Sequence, residues 1–335
     1  MALDPTIASL LEQLAATGAT TPVYELSLAD ARAGLDLVGT IGIANPPAVA
    51  RVEQRTIDAG DHAIAAELVW GSEAPRAALL FVHGGGFVLG SLRGYGPMVR
   101  HLAASTGALV VSLDYRLAPE HRFPAAVDDT LHGLRWLAAE RDALGVSVLG
   151  VVGDSAGGNL AAVASIAAPS EGIDLALALE LYPATDLSED LASLERFGEG
   201  YYLTAEEARW FASQYLGDDE RLLADWRANP MAATDLDDLP LTIVATAGYD
   251  PIGDAGRRWA ARLAALEPRG SVPDDLDERL RQAGVEVSGW ARGRVISLDF
   301  PTLVHGFASI AQLAPAAGAA CELSYGLAAW VLERA

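Results

Sequence analysis

Val146-Ser147-Val148-Leu149-Gly150-Val151-Val152-Gly153-Asp154-Ser155-Ala156-Gly157-Gly158-Asn159, continued by the Ala-rich run Leu160–Ala168, is the stretch on which the reading of the fold turns. Its first half is a short, continuous apolar run, too short for a helix and suited to a strand buried on both faces. Its second half passes through small residues and resumes with helical character. A strand that turns sharply into a helix holds Ser155 in a strained conformation, with its hydroxyl presented at the helix N-terminus. Small residues at 153 and 157 let strand and helix approach. Similar apolar runs recur at Ala77–His83, Ala108–Tyr115, Ala176–Tyr182 and Leu241–Gly248, separated by helix-length amphipathic segments. That alternation predicts an α/β fold with a mostly parallel sheet flanked by helices. Ahead of it, Val52–Asp58 and His62–Trp70 alternate around Ala59-Gly60-Asp61 and predict an antiparallel hairpin.

Two segments have no place in such a sheet. Residues 1–50 carry helix-like apolar spacing at Ile7, Leu10, Leu11 and Leu14 and break at Asn45-Pro46-Pro47. Residues 187–239 are rich in Trp, Tyr and charge, with helical spacing and no strand pattern. The expected organisation is therefore an N-terminal cap segment (1–50), a first core part (51–186), a cap insertion (187–239) and a second core part (240–335).

Chemistry in such folds gathers at the C-terminal ends of the parallel strands. One end carries Ser155, whose bland reading is a Ser-capped glycine turn. A second carries His83-Gly84-Gly85-Gly86-Phe87, where consecutive glycines after a buried strand suit backbone amides that approach an oxyanion closely. A phosphate loop would need a G-K-[ST] ending, and every basic residue of this chain is Arg. A third end carries Asp250, a carboxylate able to orient a histidine. Of six histidines only His305 follows both Ser155 and Asp250, next to the strand-like Arg294–Phe300, on what reads as a loop returning to the site. The order Ser155, Asp250, His305 is that of a Ser-Asp-His hydrolase triad.

Taken with Asp114-Tyr115-Arg116-Leu117-Ala118-Pro119-Glu120-His121, Phe123-Pro124-Ala125-Ala126, Gly153-Asp154-Ser155-Ala156-Gly157-Gly158-Asn159, Asp250-Pro251 and His305-Gly306-Phe307, the His83–Gly86 motif resembles the hormone-sensitive-lipase group of bacterial carboxylesterases. The resemblance spans most of the chain in the right order. It implies an eight-stranded α/β-hydrolase sheet, a helical cap, ester hydrolysis without a cofactor, and Asp250 rather than Asp254 as the triad acid. It further implies an oxyanion hole made by Gly84, Gly85 and the Ala156 amide. Two features depart from the family pattern: a polar stretch, Glu267–Glu278, lengthens the span between Asp250 and His305, and Ala255-Gly256 stands where an acidic residue is more typical.

Composition bounds the remaining classes. With 335 residues, 51% hydrophobic and 20% charged, the chain can bury a large core without disulfides or metals. A formal charge of -22 disfavours nucleic acid and anionic membrane as partners. No H-E-x-x-H, Cys pair or EF-hand spacing occurs, so a metal is not expected. Cys321 reads as a small buried residue rather than a nucleophile. Met1–Leu10 lacks a basic, then apolar, secretory pattern and Phe300–Cys321 is too broken to span a bilayer, which predicts a cytoplasmic protein. Asp114, Arg116 and Glu120 are expected to form a structural charge cluster.

The expected activity is a serine carboxylesterase acting on short- to medium-chain acyl esters through an acyl-enzyme. Two alternatives stay open, an amidase or deacetylase on an acylated metabolite and a non-catalytic receptor on the same fold. Physiological substrate, stereochemical preference and self-association as a homo-oligomer are open as well.

Overall fold

The computed structural model describes residues 1–16, 21–188, 190–266, 291–292 and 295–335. In chain order, the elements are α1 (Pro5–Ala16), α2 (Leu28–Gly42), β1 (Arg51–Asp58), β2 (Ala63–Trp70), β3 (Ala77–Val82), α3 (Leu92–Thr106), β4 (Leu109–Asp114) and α4 (Ala125–Glu140). They continue with β5 (Val148–Asp154), α5 (Ala156–Ala167), β6 (Leu177–Leu181), α6 (Ala192–Phe197), α7 (Ala205–Leu216), β7 (Leu241–Tyr249), α8 (Gly253–Ala264), β8 (Ala291–Arg292), β9 (Val295–Val304) and α9 (Pro315–Arg334).

The strands form one sheet in the order β1-β2-β4-β3-β5-β6-β7-β9-β8. Eight of them are the expected α/β-hydrolase strands, and β8 adds a two-residue edge. Strands β4, β3, β5, β6, β7 and β9 run parallel, while β1–β2, β2–β4 and β8–β9 pair antiparallel. Every residue of β3 and β5 is buried, as continuous apolar runs between two helical layers require. Helices α3 and α9 contribute Met98, Val99, Leu102, Tyr325 and Trp330 to the core on one face. On the other, α4 and α5 supply Val127, Leu134, Leu160 and Val163, and α8 adds Trp259 and Leu263.

This topology places the chemistry. From β3 the chain goes to β4 on one side and then to β5 on the other, so the ends of β3 and β5 are adjacent at a switch point, the standard place for a site in an open α/β sheet. Val82 pairs with Gly153, which sets the His83 loop beside the Ser155 turn.

Two boundaries differ from expectation. Helix α5 begins at Ala156, directly after Ser155, because Gly157 sits so close to the Val82 carbonyl that any Cβ there would overlap it. Strand β9 runs past the expected end at Phe300 to Val304, and His305 follows it directly in a turn. Ala247 pairs with Phe300 and Tyr249 with Val304, so Pro301, Thr302 and Leu303 bulge opposite Gly248 alone. Bulges re-aim side chains next to active sites, and this one brings the ends of β7 and β9 together. The polar stretch Glu267–Glu278 lies outside the described residues.

Candidate active site

Ser155 sits between β5 and α5 at φ 53°, ψ -119°, the strained turn expected of a residue forced from strand to helix without a loop. His305 Nε2 lies 2.9 Å from Ser155 Oγ, and His305 Nδ1 lies 2.9 Å from Asp250 Oδ2. Asp250 is fully buried, and its other oxygen accepts the Ile252 amide at 2.9 Å. An ionised carboxylate only accepts, so Nδ1 carries the proton and Nε2 is left to take one from the serine. The three expected residues therefore meet in one relay.

Asp254 is elsewhere. It accepts the Ser193 amide at 2.9 Å and pairs with Arg196 and Arg257, tying α6 to α8.

The expectation for Gly84 needs correction. Its amide donates to Asp154 Oδ1 at 2.8 Å, a buried bond that takes it away from any oxyanion. The amides of Gly85, Gly86 and Ala156 have no acceptor among the described residues, and Gly85 and Gly86 lie at φ 107° and 62°. A Cβ at Gly86 would run into the Phe211 ring, and one at Gly85 would overlap the Leu89 carbonyl. Both positions combine positive φ with close approach, the condition glycine alone meets freely.

Asp154 itself was not singled out by its sequence. It is 2% exposed and also receives the Tyr95 hydroxyl at 3.3 Å and the Tyr182 hydroxyl at 3.4 Å. Burial pushes its carboxyl up to about 6, against the opposing pull of the Gly84 amide. Tyr182, at φ 37°, sets its ring edge-on to the His305 imidazole with centroids 5.0 Å apart. His83 Nδ1 donates to the Gly84 carbonyl (2.8 Å) and the ring stacks on Tyr115 at 4.4 Å, while burial pushes it down to about 4 and so keeps it neutral. Tyr115 donates to the His83 carbonyl at 2.9 Å. The glycine loop is thus pinned at its base and open at its amides.

Above these strand ends lie α2 and α7. Leu35 of α2 is the side chain nearest Gly85, and Phe211 of α7 covers Gly86. Tyr24 donates to Glu206 at 2.7 Å and the Val23 amide to Glu207 at 3.2 Å, stitching the N-terminal segment to α7. Asp114, Arg116 and Glu120 do not pair with one another as expected. Arg116 grips buried Asp129, and Glu120 holds Arg32 of α2, which also donates to the Val88 and Ala118 carbonyls. The later part of 187–239 packs away from the site, with Trp226, Ala233, Leu236 and Leu239 against α5 and α8.

A family model for the alpha/beta hydrolase fold matches residues 79–272. The chain belongs to the α/β-hydrolase family. It is 35% identical over 274 residues to esterase LipI of Mycobacterium tuberculosis, covering 80% of this chain and 78% of that one. Ethyl acetate hydrolase of Pseudomonas putida is 39% identical over 191 residues, 56% of this chain and 60% of that protein's length. Among solved structures, the hyperthermophilic esterase of Pyrobaculum calidifontis superposes with a TM-score of 0.82 at 33% identity, over 100% of this chain and 99% of that one. Within the family these relatives belong with the carboxylesterases that the chain's motifs resemble. Among the described residues no helix is long and apolar enough to cross a membrane, and no group of three His, Cys, Asp or Glu is arranged to hold a metal.

Proposed function

We propose that the chain is a serine carboxylesterase with Ser155 as nucleophile, His305 as general base and acid, and Asp250 as the group that orients the imidazole. The observation that carries this is the pair of 2.9 Å contacts running from Ser155 Oγ through His305 to buried Asp250, beside three amides with no acceptor among the described residues. His305 Nε2 removes the serine proton as Oγ attacks the ester carbonyl. The amides of Gly85, Gly86 and Ala156 receive the negative charge as it develops on the carbonyl oxygen. The imidazolium then protonates the leaving alkoxide, leaving an acyl-serine. Water, deprotonated by the same imidazole, adds to the acyl carbon and releases the acid.

Residues 1–50 together with α6 and α7 act as the cap. Leu35 and Phe211, pressed on Gly85 and Gly86, cover the loop with apolar side chains, which supports short to medium acyl groups as substrates. A charge of -22 sets the surface against polyanionic partners and anionic lipid, and supports a small soluble ester as substrate. The test is hydrolysis of ethyl esters of graded acyl length, with stoichiometric labelling of Ser155 by an alkylphosphonate. Turnover that peaks at short or medium chains supports the assignment. Long-chain preference removes the covered pocket, and labelling elsewhere removes the nucleophile.

A further inference from the structure

Among the described residues, four non-glycine residues have positive φ: Phe87, Ser155, Tyr182 and Tyr202. Three are accounted for by the nucleophile turn, the oxyanion loop and the contact with His305. Tyr202 is not. Its φ of 77°, with the Leu203 amide donating to the Tyr201 carbonyl at 3.1 Å, is the positive-φ form of the γ-turn, a rare and strained arrangement. Strain of this kind persists only where the surroundings over-determine it. Here Tyr201 is locked into an aromatic cluster with Phe197 and Tyr249, at 5.8 and 5.0 Å between ring centroids. On the other side Thr204 and Glu207 cap α7 reciprocally. The turn sends two consecutive tyrosines to opposite tasks.

The ring of Tyr202 lies on Gly306, with Cε1 3.3 Å from where a Cβ of that glycine would be. It remains 39% exposed, and its hydroxyl has no partner among the described residues, so it is a wall and not core. The geometry of the reaction says which part of the substrate meets that wall. The carbonyl oxygen must point at Gly85, Gly86 and Ala156, and the departing alcohol oxygen must come within reach of His305 Nε2. The group attached to that oxygen therefore leaves the site beside the His305–Gly306 turn, where the Tyr202 ring stands. Leu35 and Phe211 stand instead at Gly85 and Gly86 of the oxyanion loop.

We infer that Tyr202 is a specificity-determining residue for the alcohol part of the ester: its ring packs against the leaving group and favours aromatic over small aliphatic alcohols. The inference rests on the carboxylesterase reading. The test uses the full chain and two ester series, acetates of ethanol, butanol and benzyl alcohol, and ethyl esters of acetate, butyrate and hexanoate. Active sites are counted by alkylphosphonate labelling. Tyr202→Ala should lower the kcat/KM ratio of benzyl to ethyl acetate about 2- to 10-fold, the scale of one aromatic contact, without reordering the acyl series. Tyr202→Phe should keep the parent ratio. Tyr202→Gly, which relieves the positive φ while deleting the ring, should behave as Tyr202→Ala does. Equal scaling of both series in Tyr202→Ala, a larger change in the acyl series, or a loss in Tyr202→Phe as great as in Tyr202→Ala overturns the inference while the esterase assignment stands. A parent protein that hydrolyses no member of either series overturns both.

Discussion

The floor and the roof of this site are built by different physics. The floor is the C-terminal edge of β3, β5, β7 and β9, where Asp250, Asp154 and His305 are buried and each polar group has a defined partner. The roof is α2, α7 and the Tyr201–Leu203 turn; α2 is anchored by partly exposed apolar side chains and by Arg32, and Tyr24 and Val23 stitch the N-terminal segment to α7. A charge relay needs fixed geometry and low solvent access, so it belongs on a sheet buried on both faces. Substrate selection needs a wall that can be reshaped without moving the relay, and a separate helical layer supplies one. Floor substitutions should therefore act on turnover by orders of magnitude, and roof substitutions by small factors.

The largest effect is expected at Ser155. Ser155→Ala should lower kcat by about 10⁶ with an unchanged fold, measured by turnover and circular dichroism. Residual activity within about tenfold of the parent would put the nucleophile elsewhere. Next come the two carboxylates that follow β7, Asp250 in the turn and Asp254 at the start of α8. Asp250→Asn should cost about 10³- to 10⁴-fold in kcat through loss of the productive tautomer. Asp254→Asn, whose partners are Ser193, Arg196 and Arg257, should stay within about threefold. The reverse ranking would transfer the acid's role.

Asp154 tests how firmly the floor holds the oxyanion loop. Asp154→Ala releases the Gly84 amide and should lower kcat by up to about 10²-fold while KM changes little, somewhat less than deleting an oxyanion donor outright. A change confined to KM would show that the clamp serves binding instead.

Glu180 sharpens the comparison from beneath the site. It is fully buried on β6, receives the Trp259 indole at 2.8 Å, and burial pushes its carboxyl up from 4.5 to about 8. A raised pKa means that the native state holds the proton that the unfolded chain gives up. The stability it contributes is complete below pH 4.5 and is lost as pH rises toward about 8, at ~1.4 kcal/mol per pH unit as an upper bound. Glu180→Gln should remove that slope, so chemical denaturation of the two proteins should diverge between pH 5 and 8, with the variant the more stable at the alkaline end. Parallel profiles would show that water or rearrangement solvates the carboxylate.

The smallest effect belongs to the roof. Arg32→Ala removes the anchor of α2 to Glu120, Val88 and Ala118 and should cost about 1 kcal/mol, because the pair is partly exposed. Activity should fall only about threefold. A loss on the scale of Asp250→Asn would make the roof part of the relay.

The core strands and the Ser155 turn were legible because each leaves a local mark. A run such as Ala77–Val82 cannot be amphipathic when it is buried on both faces, and Ser155 needs small neighbours wherever a strand meets a helix so abruptly. The glycine loop after β3 was legible as a loop but not by residue. Three glycines in a row do not say which amide turns inward, and the one that turns to Asp154 is chosen by the pairing of Val82 with Gly153, residues far apart in the chain. The length of β9 was hidden for a similar reason: Pro301 sits in a strand only because a bulge opposite Gly248 accommodates it.

By itself the sequence determined the α/β alternation, the order Ser155, Asp250, His305 and the acidic surface, since periodicity, chain order and net charge are properties of neighbours along the chain or of simple counts. Only the tertiary structure decided that Asp154 takes the Gly84 amide and leaves those of Gly85 and Gly86 free of it, and that Tyr202 stands over Gly306. Those outcomes depend on strand register, helix docking and positive-φ turns held by distant packing, and contacts between residues far apart in sequence carry no signal in the spacing of either one.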